Sequence, residues 1–165
     1  MAQTKVKQDQ LDRPHYAGLY FSTGGTGGGD VLTSQKDIPF DVVDPATYGM
    51  TATAGSGTHL VTVQRAGVYN IVFHMNVADA STAAFIVWTY ISTDGGTTYV
   101  AFRQSEVGIG MNSPGKTYSW QHYLPAGTKI RLQYYAATAI RAASAINTAN
   151  DRYFCGPKLT VTEIR

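Results

Sequence analysis

Four histidines, His15, His59, His74 and His122, three aspartates, Asp37, Asp41 and Asp44, and the single cysteine, Cys155, are the side chains best suited to chemistry. No two histidines have the His-x-x-x-His spacing that sets two imidazoles on one metal, and acid–base work needs a second positioned group that no motif supplies. His74 and His122 fall in strand-like segments beside polar neighbours, which suits hydrogen bonding at a subunit contact better than catalysis. The aspartates alternate with apolar residues. Carboxylates are hard oxygen ligands for calcium, but this spacing does not match a compact calcium loop, and solvated strand-edge charge that blocks wrong pairing is the preferred reading. Cys155 allows no internal disulfide, fits a reducing compartment and, between Phe154 and Gly156, reads as a small packed residue rather than a nucleophile. The run Gly24–Gly29, GGTGGG, lacks the lysine and helix start of a phosphate cradle, so it reads as an exposed loop. No catalytic, cofactor or metal residue is assigned, and no enzymatic activity is expected.

The elements that would position these groups read as strands. Ile38 to Val77 forms consecutive strands joined by a tight turn at Arg65-Ala66-Gly67; after it Tyr69, Ile71, Phe73, Met75 and Val77 share one face, and Asn70, His74 and Asn76 the other. Ile130, Leu132 and Tyr134 alternate in the same way with Lys129, Arg131 and Gln133. Phe85 to Ile91 is apolar on both faces, as expected of a strand between the core and a neighbouring subunit. Asp94-Gly95-Gly96 supplies a hairpin turn and Pro125-Ala126-Gly127 another turn. Residues 136 to 150 read as a long loop with a helical turn. The expected first strand is 17–22, preceded by an extended N-terminal arm, 1–16, whose charges and sparse apolar groups cannot form a core.

One domain is the expectation for 165 residues, a length that buries ~70% of its unfolded surface. Seventeen glycines, eleven tyrosines and a charged fraction of 15% suit an all-β chain whose surface is covered by neutral polar groups or by partners. A formal net charge of +2, spread along the chain, argues against nucleic acid as a partner. No run of 18 apolar residues argues for membrane insertion. The N-terminal residues have no apolar stretch of signal-peptide type, so the chain is expected to fold in a cytosol.

The apolar-Pro-Phe strand at Ile38-Pro39-Phe40, the Ala66-Gly67-Val68-Tyr69 entry into an alternating strand, the segment Leu124-Pro125-Ala126-Gly127-Thr128-Lys129-Ile130 and the ending Tyr153-Phe154-Cys155-Gly156-Pro157-Lys158-Leu159 occur in an order that resembles the C1q/TNF-like jelly roll. The resemblance covers residues 17 to 165 and implies a jelly-roll β-sandwich of two antiparallel sheets, and a trimer. It implies no reaction. Some C1q-like domains bind calcium, but no ligand motif here transfers residue by residue.

A secreted lectin or cytokine of this fold is expected to carry a signal peptide and a trimerising stalk, so that class is discounted. A short arm leading directly into the jelly roll looks like small phage virion proteins. The expected function is a homotrimeric capsid decoration protein on the outer surface of a phage head, made in the host cytoplasm, with the major capsid shell as partner. The alternative is the receptor-binding head of a tail fibre or spike that recognises a host-surface glycan or protein. The candidate trimer-interface residues are Ile86, Trp88, Tyr90, His74 and Trp120. Lys5, Val6, Lys7, Leu11 and Arg13 are the candidate capsid tether. Most aromatics are expected in the core or on the trimer axis, and any sugar or receptor site on loops 24–29, 94–98 and 111–116.

Overall fold

Alternation in sequence becomes burial in space most plainly around residue 70, where Tyr69, Ile71 and Phe73 are fully buried while the residues between them face outward. The structure, a computed structural model, describes residues 13–20, 31–32, 36–38, 40–55, 59–75, 85–107, 116–136, 140–141 and 158–165. In chain order these form β1 (Tyr16–Tyr20), β2 (Val31–Leu32), β3 (Lys36–Asp37), β4 (Val42–Val43), β5 (Met50–Thr53), β6 (Leu60–Val63), β7 (Gly67–Met75), β8 (Phe85–Ser92), β9 (Val100–Val107), β10 (Lys116–Leu124), β11 (Lys129–Ala136), β12 (Ile140–Arg141) and β13 (Lys158–Ile164).

Two antiparallel sheets make a jelly-roll sandwich. The first runs β10-β7-β13-β1-β4; the second runs β5-β6-β11-β8-β9, with β3 added beside β11. Between them lies one core of Leu19, Ile38, Phe40, Tyr69, Ile71, Phe73, Val87, Leu124, Ile130, Leu132, Leu159 and Val161, drawn from both sheets. β6, β7 and β13 bury alternate residues against the opposite sheet, whereas β1 is buried from Ala17 to Tyr20.

The expected tight turn at Arg65-Ala66-Gly67 is a corner rather than a hairpin: β6 lies in the second sheet and β7 in the first. A second corner, Pro125–Thr128, carries the chain from β10 back to β11. Gly127 sits there at φ 82°, where a side chain would be strained, and Thr128 N–H and Oγ1 donate to the Pro125 carbonyl at 3.2 and 2.7 Å. The two corners are stapled together, because Gly127 N–H donates to Val63 O (2.7 Å) and Val63 N–H to Thr128 O (2.9 Å).

The hairpin expected at Asp94-Gly95-Gly96 is present between β8 and β9. Asp94 Oδ1 accepts from Ser92 Oγ and from the Thr97 and Thr98 amides at 2.7, 3.1 and 3.0 Å, and these bonds, led by that of Ser92, hold its carboxyl well below the usual range. Within the segment expected to be a long loop with a helical turn, Ile140–Arg141 forms a two-residue strand paired with Val31–Leu32. The segment's remaining residues from 137 on, like Gly24–Gly29 and Cys155, lie outside the described residues.

Candidate functional site

The outward face of the first sheet is set by the same alternation that builds the core. With Tyr69, Ile71 and Phe73 turned inward, Val68, Asn70, Val72 and His74 of β7 turn outward, and register aligns them with β10 and β13. Across the three strands the rows read Tyr123–Val68–Ile164, Gln121–Asn70–Thr162, Ser119–Val72–Thr160 and Thr117–His74–Lys158. Only Lys158, in the last row, is charged. The first row is apolar and open, with Tyr123 59%, Val68 41% and Ile164 39% exposed. Much of the polar remainder is satisfied within the sheet: Ser119 Oγ donates to Asn70 Oδ1 at 2.6 Å, and His74 Nδ1 and Thr117 Oγ1 share a hydrogen bond at 2.8 Å. A face whose polar groups are already paired loses less when water is removed from it, and an open apolar row gains by being covered.

Towards the β1 and β4 edge the same face closes over a carboxylate. Asp44 accepts from Tyr16 Oη at 2.6 Å, from Tyr20 Oη and from the Ala46 amide at 2.8 Å, while Lys158 Nζ lies 4.8 Å over the Tyr20 ring. Burial raises the Asp44 pKa, but the two phenols and the amide outweigh it and hold the group below its ordinary value. Both phenols are pushed up, by burial first and then by the carboxylate they bond. Asp37 belongs to the other sheet, where Gln133 Nε2 donates to it at 2.7 Å and Arg131 lies 3.8 Å away. Two of the three aspartates thus serve different sheets, and the described residues contain no group of three or more His, Cys, Asp or Glu able to hold a metal.

The open apolar row lies at the end of the sandwich where residues 13–15 meet the end of β13. There the buried Glu163 accepts from the His15 amide (3.1 Å), from Arg65 Nε (3.0 Å) and from Arg165 Nε (3.3 Å). Burial pushes the Glu163 carboxyl up; Arg65, the His15 amide and Arg165 together overcome that and hold it at about 2. The carboxylate therefore ties the last strand, the first corner and the entry to β1 into one joint. Arg13, from the candidate tether, is exposed beside it: its guanidinium lies 5.1 Å over the Tyr48 ring and its carbonyl accepts from Arg165 at 3.1 Å. Lys5, Val6, Lys7 and Leu11 lie outside the described residues. The His15 ring packs against Gly49, which has φ 67°; burial lowers the imidazole pKa, and Arg65 adds to that. Sequence reasoning missed this joint because its members are separated by up to 150 positions (165 − 15) and only the sheet brings them together.

The five residues singled out for a trimer contact do not share a surface. His74 is on the outward face just described. Trp120, paired with Ile71, packs against the core from the edge strand β10, and His122 on the same side meets Phe102 of β9 with ring centroids 4.2 Å apart, closing the sandwich edge. Ile86, Trp88 and Tyr90 are partly buried on the outward face of the second sheet, beside Gln133 and Arg131. His59 is buried ahead of β6.

These features define a TNF/C1q-like jelly roll. The whole arrangement is similar to that of the Eiger TNF protein from S. frugiperda, with a TM-score of 0.66 at 11% identity over 93% of this chain and 94% of that one. It is also similar to murine APRIL, with a TM-score of 0.58 at 9% identity over 92% of this chain and 100% of that one. No family model and no curated protein matches the sequence.

Proposed function

We propose that this chain is a non-enzymatic structural protein that assembles as a homotrimer and decorates the outer surface of a phage head, synthesised in the host cytoplasm and held to the major capsid shell by the part of the expected 1–16 arm that precedes the joint at His15, Tyr16 itself being the first residue of β1. The observation that carries the reading is the outward face of β10, β7 and β13, neutral apart from Lys158, with its open row Tyr123, Val68 and Ile164. Interfaces are depleted of charge and enriched in tyrosine, and covering three such residues in each of three copies favours association. Arg13 leaves the sandwich at this same end, so three arms in a trimer would depart together and add their affinities for a repeating surface.

The test has two parts. Light scattering at micromolar concentration is expected to give three times the chain mass; a monomer would exclude the assembly. Protein with and without residues 1–12 is then sedimented with undecorated shells, and loss of binding on deletion is the expected outcome. Equal binding by both would remove the tether. Binding to host cells in place of shells would move the assignment to a receptor-binding head, a reading favoured by the aromatic and polar face of the second sheet.

A further inference from the structure

The chain enters β1 through a joint in which one imidazole is hemmed in by cations. The main chain of His15 is tied twice to Glu163: the His15 amide donates to the Glu163 carboxylate at 3.1 Å, and the Glu163 amide donates to the His15 carbonyl at 2.8 Å. Two residues earlier the Arg13 carbonyl accepts from Arg165 at 3.1 Å. The His15 ring stands edge-on to Tyr48, with centroids 6.1 Å apart and planes at 82°. It fills the space beside Gly49, where a Cβ would come within 2.6 Å of the ring's Cγ and Nε2, so a glycine at φ 67° is what leaves room for the seat.

In that seat His15 Nδ1 is buried and has no hydrogen-bond partner among the described residues. A neutral imidazole can present a bare lone pair there. An imidazolium carries a proton on both nitrogens and would leave a buried N–H without an acceptor. The charges that act on the ring push in the same direction. They are the guanidinium groups of Arg65, from the corner before β7, and of Arg165, beyond β13, against the carboxylate of Glu163, to which both arginines already donate. Arg13 lies over the far partner, Tyr48, at 5.1 Å, and the Tyr69 hydroxyl is turned to the Arg65 carbonyl at 2.6 Å. Burial first, then Arg65 and Arg165, lower the imidazole pKa, and Glu163 opposes them only in part.

We propose that His15 is a proton-operated latch on the N-terminal arm: the neutral ring seats residues 13–15 on the end of the sandwich, and protonation drives the ring into water and releases them from the last strand. Arginine keeps its charge near neutrality and Glu163 is held at about 2, so the imidazole is the member of the joint whose charge changes there. The sign follows from a folded value below the ordinary 6.5. The released joint takes up the proton first, so the seat is secure above 6.5 and weakens as pH falls from there towards the lowered value. The latch needs neither a second copy nor a shell, because every group in it belongs to one chain.

Hydrogen exchange at single amides, followed by NMR on the full chain between about pH 7.5 and about pH 5 and corrected for the intrinsic rate, tests it. That range stays above the one in which Glu163 takes up a proton. The His15 and Glu163 amides are expected to lose protection as pH falls below 6.5, by up to about tenfold per pH unit, while the Ile71 amide in the middle of the first sheet keeps its own. The His15 ring protons are expected to titrate below 6.5. His15→Phe, whose ring takes no proton, retains His59, His74 and His122 and is expected to hold both amides at a protection that does not change with pH. Circular dichroism checks its fold, and if it does not fold, His15→Gln carries the same comparison. A ring that titrates at or above 6.5, protection at residues 15 and 163 that is flat with pH in the parent, or the same loss in the folded variant would overturn the latch. So would an equal loss at Ile71, which would mean that the whole sandwich opens.

Discussion

The outward faces of the two sheets begin from similar strands and end as opposite surfaces. On β7, β10 and β13 the outward residues are mostly short and, Lys158 apart, neutral, several polar groups bond one another, and Tyr123, Val68 and Ile164 stay open to solvent. On β8 and β11 the outward residues are long, and they cover themselves: Arg131 spans Tyr90, Tyr99 and Asp37, and Lys129 caps the Gly95 carbonyl. The difference lies in whether side chains are long enough to fold back over their own sheet. A face that cannot cover itself gains from a second copy, whereas one that does gains less.

Exchanging a charge between the faces is the strongest way to break the comparison. Val68→Glu sets a carboxylate in the open row of every copy, and like charges brought together across an interface cost several kcal/mol, so the light-scattering mass is expected to fall from trimer to monomer. Trp88→Glu is expected to leave that mass unchanged. The reverse pattern would transfer the assembly role to the second sheet.

A smaller effect sharpens what holds the first face in place. Glu163→Gln leaves Arg65 and Arg165 without their carboxylate, and because Arg65 is partly solvated the cost is about 2–3 kcal/mol in a urea titration. The sign with pH follows from a folded value near 2 against an ordinary 4.5: the contribution of Glu163 is complete above the ordinary value and is lost as pH falls from there towards 2. Glu163→Gln should therefore show a flatter loss of stability across that window than the parent protein. Equal slopes would mean that the joint contributes nothing.

The least effect is expected on the second sheet. Arg131→Leu removes a cation stacked on two rings and an ion pair open to water, for about 1 kcal/mol in the same titration, with no change in trimer mass. A loss as large as that of Glu163→Gln would show that the second face is also a structural joint.

Alternation in β7 and β11 was readable at single-residue level because each strand is buried on one side only, and Tyr69, Ile71, Phe73, Ile130 and Leu132 are all buried as their spacing requires. The corner at Arg65-Ala66-Gly67 was harder, since a tight turn between alternating strands looks the same whether the strands pair or part to opposite sheets. The sequence of strand 85–91 is apolar on both sides, which by itself points to a subunit contact. In the fold, Arg131 and Tyr99 come from other strands and turns to flank Tyr90 on that outward side, a neighbourhood with no local signature. The open row was equally hidden: Val68, Tyr123 and Ile164 are unremarkable singly and become a surface only through the register of β10, β7 and β13.

By itself, then, the sequence determined the local periodicity, the turn positions at Asp94-Gly95-Gly96 and Pro125-Ala126-Gly127, and the order of landmarks that resembles a C1q/TNF-like jelly roll, because these depend on residues within a few positions of one another. Tertiary structure decided which strands share a sheet, which outward side chains are covered by their neighbours, and that Glu163 meets Arg65 and the His15 amide. Those outcomes depend on register between distant strands, where a shift of one residue would turn every outward side chain into the core and separate every partner.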